Sequence, residues 1–322
     1  MEPFEFRPWY PRGVTHIIAA GATNYIGSVD TGIVLKYPLV PPEEEDVYAA
    51  GGIEFRRGLR KAAEESLRVE EQVFRRLGHH PRVIRFIRKH EDGLLIERMP
   101  NGSVEHYLRT AATEISLGQR LEWARQASEG LAYLHERHVL HCDISVGNLL
   151  LHDDLSIKLC DFQGQLLDTD GSILLSGNAM GSTISSMPRA DHTACNEQTD
   201  IFALGTAMYI MIEGQPPFPD LDPVEDEHEI QARYMKGAFP PLDARRGGDV
   251  VQKCWQGAYA SAAEIVTDIQ KLIKDYQGLS LMQGANTTIP RGESYERMCH
   301  CVVCSQERCL SAFSHVDHVT ER

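Results

Sequence analysis

Residues 138–151 read HVLHCDISVGNLLL, a polar cluster bounded by apolar runs on both sides. The residues between these runs read as an irregular loop held by them on either side. On that loop Asp143 stands five residues before Asn148, and both can face one pocket. An aspartate so placed can accept a proton, and an asparagine can ligate a metal. Downstream, SIKLCDFQG (156–164) puts Asp161 directly after a further short apolar strand. Two carboxylates and one amide at the mouth of a cleft suit a hard cation such as Mg2+ carrying a phosphate chain.

Upstream, residues 14–38 hold the short β-type runs THIIAA, IGSV and GIVLKY with turn residues such as Asp30, Thr31 and Gly32 between them. This pattern predicts an antiparallel meander. An acidic, Gly-rich stretch (42–54) precedes FRRGLRKAAEESLRVEEQVFRRLG (55–78), where Leu67, Val73, Phe74 and Leu77 are apolar among charges. The spacing predicts one amphipathic helix closed by Gly78. Two more strand-like runs, VIRFI (83–87) and GLLIERM (93–99), end at Pro100-Asn101-Gly102, so a mostly β segment with one helix ends near residue 100.

Helix signals dominate beyond it. Leu117, Leu121, Ala124, Ala127, Leu131 and Leu134 form one stripe, IFALGTAMYIMIEG (201–214) is apolar nearly all round, and SAAEIVTDIQKLIKDYQ (261–277) is a last helix. The expected organisation is an extension (1–13), a β-rich lobe (14–99), a helical lobe (100–277) and a Cys-rich tail (278–322) with weak periodicity.

The 322 residues suffice for two lobes sharing a cleft, and a net charge of −14 disfavours nucleic acid or an anionic membrane as partner. No basic-then-apolar leader and no apolar run near the roughly 18 residues of a membrane span is visible, so the expected address is cytoplasmic or nuclear. Of eight cysteines, four crowd into MCHCVVCSQERC (298–309), while Cys142, Cys160, Cys195 and Cys254 stand singly. That is no secreted disulfide framework.

These motifs, in this order, resemble the eukaryotic protein kinase family. The resemblance covers about residues 14–276, and its implications are carried over position by position. His141-Cys142-Asp143 stands at the family's H-R-D, which implies Asp143 as the catalytic base orienting the substrate hydroxyl. Asn148 would hold one Mg2+, with Mn2+ as an alternative, and Asp161, in place of the D-F-G aspartate, would bind the metal bridging the terminal phosphates of ATP. Lys36 in GIVLK matches the third-strand lysine on the α and β phosphates, and Glu70, with Glu71 as its neighbour and alternative, would be its ion-pair partner.

The same resemblance makes Gly21 the remaining glycine of the phosphate loop. It puts Glu97 and Met99 at the hinge, where backbone groups would hydrogen-bond adenine, and Ile26, Val34 and Leu150 around the adenine ring, although each would serve equally as plain core. QTDIFALGTAMYIM (198–211) looks like the family's buried central helix, with Asp200 anchoring the catalytic-loop backbone. The implied fold is α+β, a bilobal kinase-like fold with a small β-rich N-lobe containing one helix and a larger, mainly helical C-lobe. GIVLKYP, MPR (187–189) and the CWxxxYxSAxE pattern at 254–264 are similar to those of divergent kinase-like proteins of filamentous fungi.

The sequence also departs from the family pattern. AAGATNYI (19–26) keeps only Gly21, with Ala19 and Asn24 at the flanking positions. Cys142 replaces the arginine that pairs with a phosphorylated activation segment, so regulation of that kind is not expected despite Ser182, Thr183, Ser185 and Ser186. Ser145 replaces the lysine near the γ-phosphate, and charge stabilisation there carries much of the rate. Gln163 replaces a glycine and is expected to stiffen the metal loop. The A-P-E glutamate is missing from MPRAD and its arginine partner from CWQGAYASA, so neither is left as an unpaired buried charge.

The resulting expectation is an ATP-dependent protein kinase acting on a protein Ser or Thr hydroxyl, with Tyr left open by Ser145. The first alternative is a pseudokinase, a nucleotide-binding or scaffolding module. The second, a small-molecule phosphotransferase, is opposed by the long activation segment. A zinc site among Cys299, Cys301, Cys304, Cys309, His300, His315 and His318 has one C-x2-C pair in its favour, against a flexible thiol-rich tail, and PDLDPVEDEHE (219–229) reads as a solvated loop, with selection of basic substrates as the alternative.

Overall fold

The computed structural model describes residues 8–42, 50–177, 179, 181–191 and 193–283. They fall into two compact units, one holding the residues up to Gln72 with Arg85–Arg98, the other Val73–Ile84 with the chain from Met99 on. The chain therefore changes unit between Arg98 and Met99, close to the Pro100-Asn101-Gly102 turn, but residues 73–84 also belong to the second unit.

In the first unit, β1 (His16–Ala20), β2 (Asn24–Ser28), β3 (Ile33–Pro38), β4 (Phe86–His90) and β5 (Gly93–Glu97) form an antiparallel sheet in the order β1-β2-β3-β5-β4. The alternation in GIVLKY puts Leu35 and Tyr37 on one face, both fully buried with Ala20, Tyr25 and Leu95. Burying a leucine of this kind stabilises by roughly 1.5–3 kcal/mol. Trp9 closes this core edge-on against Tyr37 at 5.2 Å, and its indole N–H donates to the Pro38 carbonyl at 2.9 Å.

Helix α1 (Ala50–Leu77) runs from the first unit into the second. It ends where the sequence predicts, with Gly78 in the left-handed region at φ +61°. Its start lies five residues earlier than the apolar period at Phe55 suggests, because the opening Ala50-Gly51-Gly52 carries no apolar spacing to mark it. The run VIRFI is also divided. Its last two residues open β4, whereas Val83 bridges Leu159 in parallel and the Ile84 N–H donates to the Leu159 carbonyl at 2.9 Å.

The second unit continues with α2 (Val104–Thr110), α3 (Leu117–Glu136), β6 (Val139–Leu140), β7 (Leu149–Leu151), β8 (Ile157–Leu159), β9 (Gln165–Leu167) and β10 (Ile173–Ser176), then α4 (Glu197–Glu213), α5 (Glu227–Met235), α6 (Gly248–Trp255) and α7 (Ala262–Gln283). The stripe of α3 is buried as predicted, with Leu121, Ala124, Leu131 and Leu134 fully enclosed. Helix α4 is buried nearly all round, and Asn196 and Thr199 form a reciprocal capping box at its start. Helix α7 passes residue 278, where the tail was expected to begin; the cysteine and histidine cluster at 299–318 and the first seven residues lie outside the described residues.

Strands β7 and β8 pair as a two-stranded ladder, and β6 and β10 flank β9. The hairpin of β9 and β10 turns at Asp168–Gly171, where the Asp168 N–H donates to the Ser172 carbonyl. The α+β expectation holds: a small antiparallel sheet with one helix, followed by a mainly helical unit. No helix among the described residues is long and apolar enough to cross a membrane.

Candidate active site

Of the candidate residues, Gly21, Ile26, Val34, Lys36, Glu70 and Glu97 lie in the first unit and Met99, Asp143, Asn148, Leu150 and Asp161 in the second. In the first, β3 presents Lys36 opposite Ile26 of β2, and its ammonium lies 2.6 Å from the Glu70 carboxylate of α1. Both side chains are almost wholly buried. Two charges removed from water hold together only when paired, so this contact fixes α1 against β3. Glu71 turns elsewhere, 3.4 Å from the ammonium of Lys89.

Gly21 follows β1, and its N–H donates to the Asn24 carbonyl at 2.7 Å, closing the turn into β2. Val34 is buried opposite Ile96 of β5. The Glu97 N–H donates to the Arg85 carbonyl at 3.0 Å while its carboxylate accepts the Arg85 N–H at 2.7 Å.

In the second unit the loop between β6 and β7 carries the cluster that opens the sequence. Asp200 of α4, 1% exposed, anchors it: one carboxylate oxygen accepts the His141 N–H at 2.8 Å and the other accepts the Cys142 N–H at 2.9 Å. The His135 ring, at 3.1 Å, makes a third contact to the same carboxylate. Sequence reasoning placed Asp200 here but missed His135, which hides in the helical stripe of α3 as an ordinary interior position.

His141 is fully buried. Its Nδ1 accepts the Asp143 N–H at 3.3 Å, so Nε2 carries the proton and donates to the Cys160 carbonyl at 2.9 Å. Burial lowers the imidazole below its usual range and keeps it neutral. Its ring meets Phe162 at 5.6 Å, and Phe162 in turn meets Phe74 of α1 edge-on at 5.3 Å. This aromatic row positions the loop carrying Asp161 against the loop carrying Asp143.

Asn148 donates from Nδ2 to both the Asp143 carbonyl at 2.8 Å and its carboxylate at 2.9 Å. Burial pushes the Asp143 carboxyl up to about 8, and the negative charge of Asp161 adds to the rise against the Asn148 hydrogen bond. Carboxylates that repel one another in a poorly hydrated place are the donor set that a divalent cation satisfies, and the Asn148 amide adds a neutral oxygen. The residues therefore fit a Mg2+ ion held by Asn148 and Asp161. Cys142 and Asp161 are both non-glycine residues in the left-handed region, at φ +64°, a conformation that costs of order 1–3 kcal/mol and persists where the surroundings impose it.

Gln163 is free of such strain, so a side chain fits there without backbone cost. The glycine that matters is the next one. A Cβ on Gly164 would stand 2.0 Å from the Leu140 carbonyl oxygen and 2.4 Å from that of His141. Leu150 lies in β7, opposite Lys158, and Met99 accepts the Gly102 N–H at 3.2 Å in the turn that follows β5.

Comparison with protein-family models matches residues 30–269 to the family described as protein tyrosine and serine/threonine kinase. The chain is 30% identical over 197 residues to mitogen-activated protein kinase kinase kinase 7 of Drosophila melanogaster, covering 58% of this chain and 28% of that protein. It is 22% identical over 214 residues to serine/threonine-protein kinase STY17 of Arabidopsis thaliana (64% and 37%), and 28% identical over 171 residues to tyrosine-protein kinase Srms of Mus musculus (51% and 34%). The chain thus spans about a third of the length of these curated relatives. The match takes in the sheet from β3 on, the buried ion pair, the Asp143 loop, the Asp161 loop and the buried central helix. The fold is that of the protein kinases, and the chain belongs to the protein tyrosine and serine/threonine kinase family.

Proposed function

We propose that the chain is an ATP-dependent protein kinase that transfers the γ-phosphoryl group to a protein Ser or Thr hydroxyl. The observation that carries this reading is the half-buried Asp143 carboxylate, held by Asn148 beside the charge of Asp161. In it, Asp143 orients the attacking hydroxyl and takes its proton, Lys36, kept in place by Glu70, aligns the α and β phosphates, and Asn148 and Asp161 hold Mg2+. The bound cation neutralises charge on the phosphates. Gly21 serves the phosphate turn, Ile26, Val34 and Leu150 the adenine ring, and backbone groups of Glu97 and Met99 its edge. Positioning and charge neutralisation carry such a rate, since little covalent chemistry falls to the protein.

A pseudokinase is the second reading, favoured by Ser145, which leaves no lysine two residues past Asp143. The nearer kinship with kinase-like proteins of filamentous fungi rests on GIVLKYP, MPR and CWQGAYASAAE alone. The test is transfer of labelled γ-phosphate, with Mg2+ or Mn2+, to the protein itself and to a mixed peptide library, followed by phosphoamino-acid analysis. Labelled phosphoserine or phosphothreonine supports the proposal. Phosphotyrosine alone overturns its specificity, and background incorporation with ATP bound supports the pseudokinase.

A further inference from the structure

Gly181 lies against the loop that carries Asp143: a Cβ added to it would stand 3.6 Å from an Asp143 carboxylate oxygen and 3.6 Å from the Cys142 carbonyl oxygen. The chain then makes a single 3-10 turn, Thr183–Ser185. In it the Ser185 N–H donates to the Ser182 carbonyl at 2.9 Å and the Ser186 N–H to the Thr183 carbonyl at 3.2 Å. Ile184 and Ser185 are buried. Hydrogen bonds of this kind are poorly aligned and end with the turn, so it does not hold itself.

Two side chains of α5, three residues apart and so on one face of the helix, take hold of it. Gln231 donates from Nε2 to the Thr183 carbonyl at 3.3 Å and to the Ser186 carbonyl at 3.1 Å, spanning the turn from end to end. The Tyr234 hydroxyl donates to the Ile184 carbonyl between them at 2.7 Å. Tyr234 is 3% exposed, its ring edge-on to Phe202 of α4 at 5.1 Å and tilted against Phe218 at 5.1 Å, so its hydroxyl is fixed in place. Just past the turn, Arg189 donates to the Ser186 hydroxyl at 3.2 Å and to the Met187 carbonyl at 2.9 Å. Three carbonyls within four residues are thus held from α5 by neutral donors.

We propose that Gln231 and Tyr234 are positioning residues for the protein acceptor. They fix Gly181–Ser186 beside Asp143, so that a peptide laid along this segment brings its hydroxyl to the Asp143 carboxylate, and no phosphate is needed on Ser182, Thr183, Ser185 or Ser186. The proposal rests on the kinase reading and adds to it the part that places the acceptor. A hydroxyl on a flexible peptide meets its proton acceptor productively only when the backbone carrying it is held, and a shift of about 1 Å is costly. The groups assigned to the nucleotide and the cation lie outside this hydrogen-bonded set, so acceptor placement and nucleotide binding separate.

The test uses the full-length chain treated with a protein phosphatase, and as acceptor a serine peptide that the wild-type protein labels in the mixed library. Gln231→Glu keeps the side-chain size and removes both donors, Gln231→Lys returns a donor, and Tyr234→Phe removes only the hydroxyl. Phosphatase treatment is expected to leave wild-type transfer unchanged. Gln231→Glu and Tyr234→Phe are expected to lower kcat/KM for the peptide about tenfold, with the KM for ATP and the hydrolysis of ATP by water unchanged, and Gln231→Lys to recover most of the loss. Peptide transfer and hydrolysis falling together would show a merely structural role and overturn the proposal, as would an unchanged kcat/KM for the peptide or loss of wild-type transfer on phosphatase treatment. No transfer by the wild-type protein before treatment would instead overturn the kinase reading and this proposal with it.

Discussion

The side-chain amide of Asn148 grips Asp143 twice, at its backbone carbonyl and at its carboxylate, 2.8 and 2.9 Å away. Asn148 is itself held at both backbone groups, its N–H by Ser145 and its carbonyl by the Cys160 N–H that precedes Asp161. One residue thereby fixes the proposed proton acceptor and ties it to the strand that delivers the second carboxylate. Asn148→Ala removes both hydrogen bonds and, on the proposed function, an oxygen ligand for the cation. The expected result is loss of transfer by at least about 100-fold with a raised requirement for Mg2+, measured as initial rate against Mg2+ concentration.

The Lys36–Glu70 pair predicts a double-mutant pattern. Lys36→Met leaves the Glu70 charge buried alone and lowers stability by about 3–5 kcal/mol, and Glu70→Leu leaves Lys36 in the same state. The double variant restores most of that loss, because two apolar side chains replace two charges. Thermal melting reads the stability. All three variants are expected to lose transfer, since the ammonium proposed to align the phosphates is either gone or unpositioned.

Asp200 is an acceptor for two backbone donors and the His135 ring. Asp200→Ala strands these groups, at about 1–3 kcal/mol for each buried donor left without an acceptor. A melting temperature lowered well beyond that of a surface substitution is the expected outcome, with amide exchange quickened at His141 and Cys142.

Two neighbouring positions separate expectation from structure. Gly164→Ala drives a methyl group into the Leu140 and His141 carbonyls and is expected to destabilise the protein and disturb the catalytic loop. Gln163→Gly, which restores the residue that the family pattern carries, is expected to leave the melting temperature nearly unchanged. Parallel melting curves decide the matter.

The thiol of Cys195 gives a pH prediction. Its midpoint is brought down to about 7, first by the Cys142 hydrogen bond and then by Arg189 and Thr199, against burial and the charge of Asp200. A lowered midpoint means that the thiolate is present at neutral pH, where an ordinary cysteine near 8.5 is mostly protonated. Alkylation at Cys195 by iodoacetamide should rise with pH and be half-maximal near 7. In Cys142→Ala, which lacks the main cause, the midpoint moves upward.

The legible part of the sequence was the part written in local spacing. The meander of GIVLKY and its neighbours, the stripe of α3, the enclosed α4 and the Asp143–Asn148 interval each depend on residues a few positions apart. The rest depends on partners distant in the chain. Val83 and Ile84 read as the start of a strand, yet Leu159 claims them. Phe74 reads as one apolar position of α1, and only packing shows that it meets Phe162. Gln163 looked like a defect because the pattern calls for glycine there, whereas the crowding falls on Gly164.

The most direct test of the account compares the wild-type chain with Asp143→Asn, measuring γ-phosphate transfer and ATP binding on the same samples. The substitution preserves shape and removes the proposed proton acceptor. The account predicts unchanged melting and retained ATP binding with transfer lowered by about 10²–10⁴-fold. Equal transfer by the two proteins would contradict it.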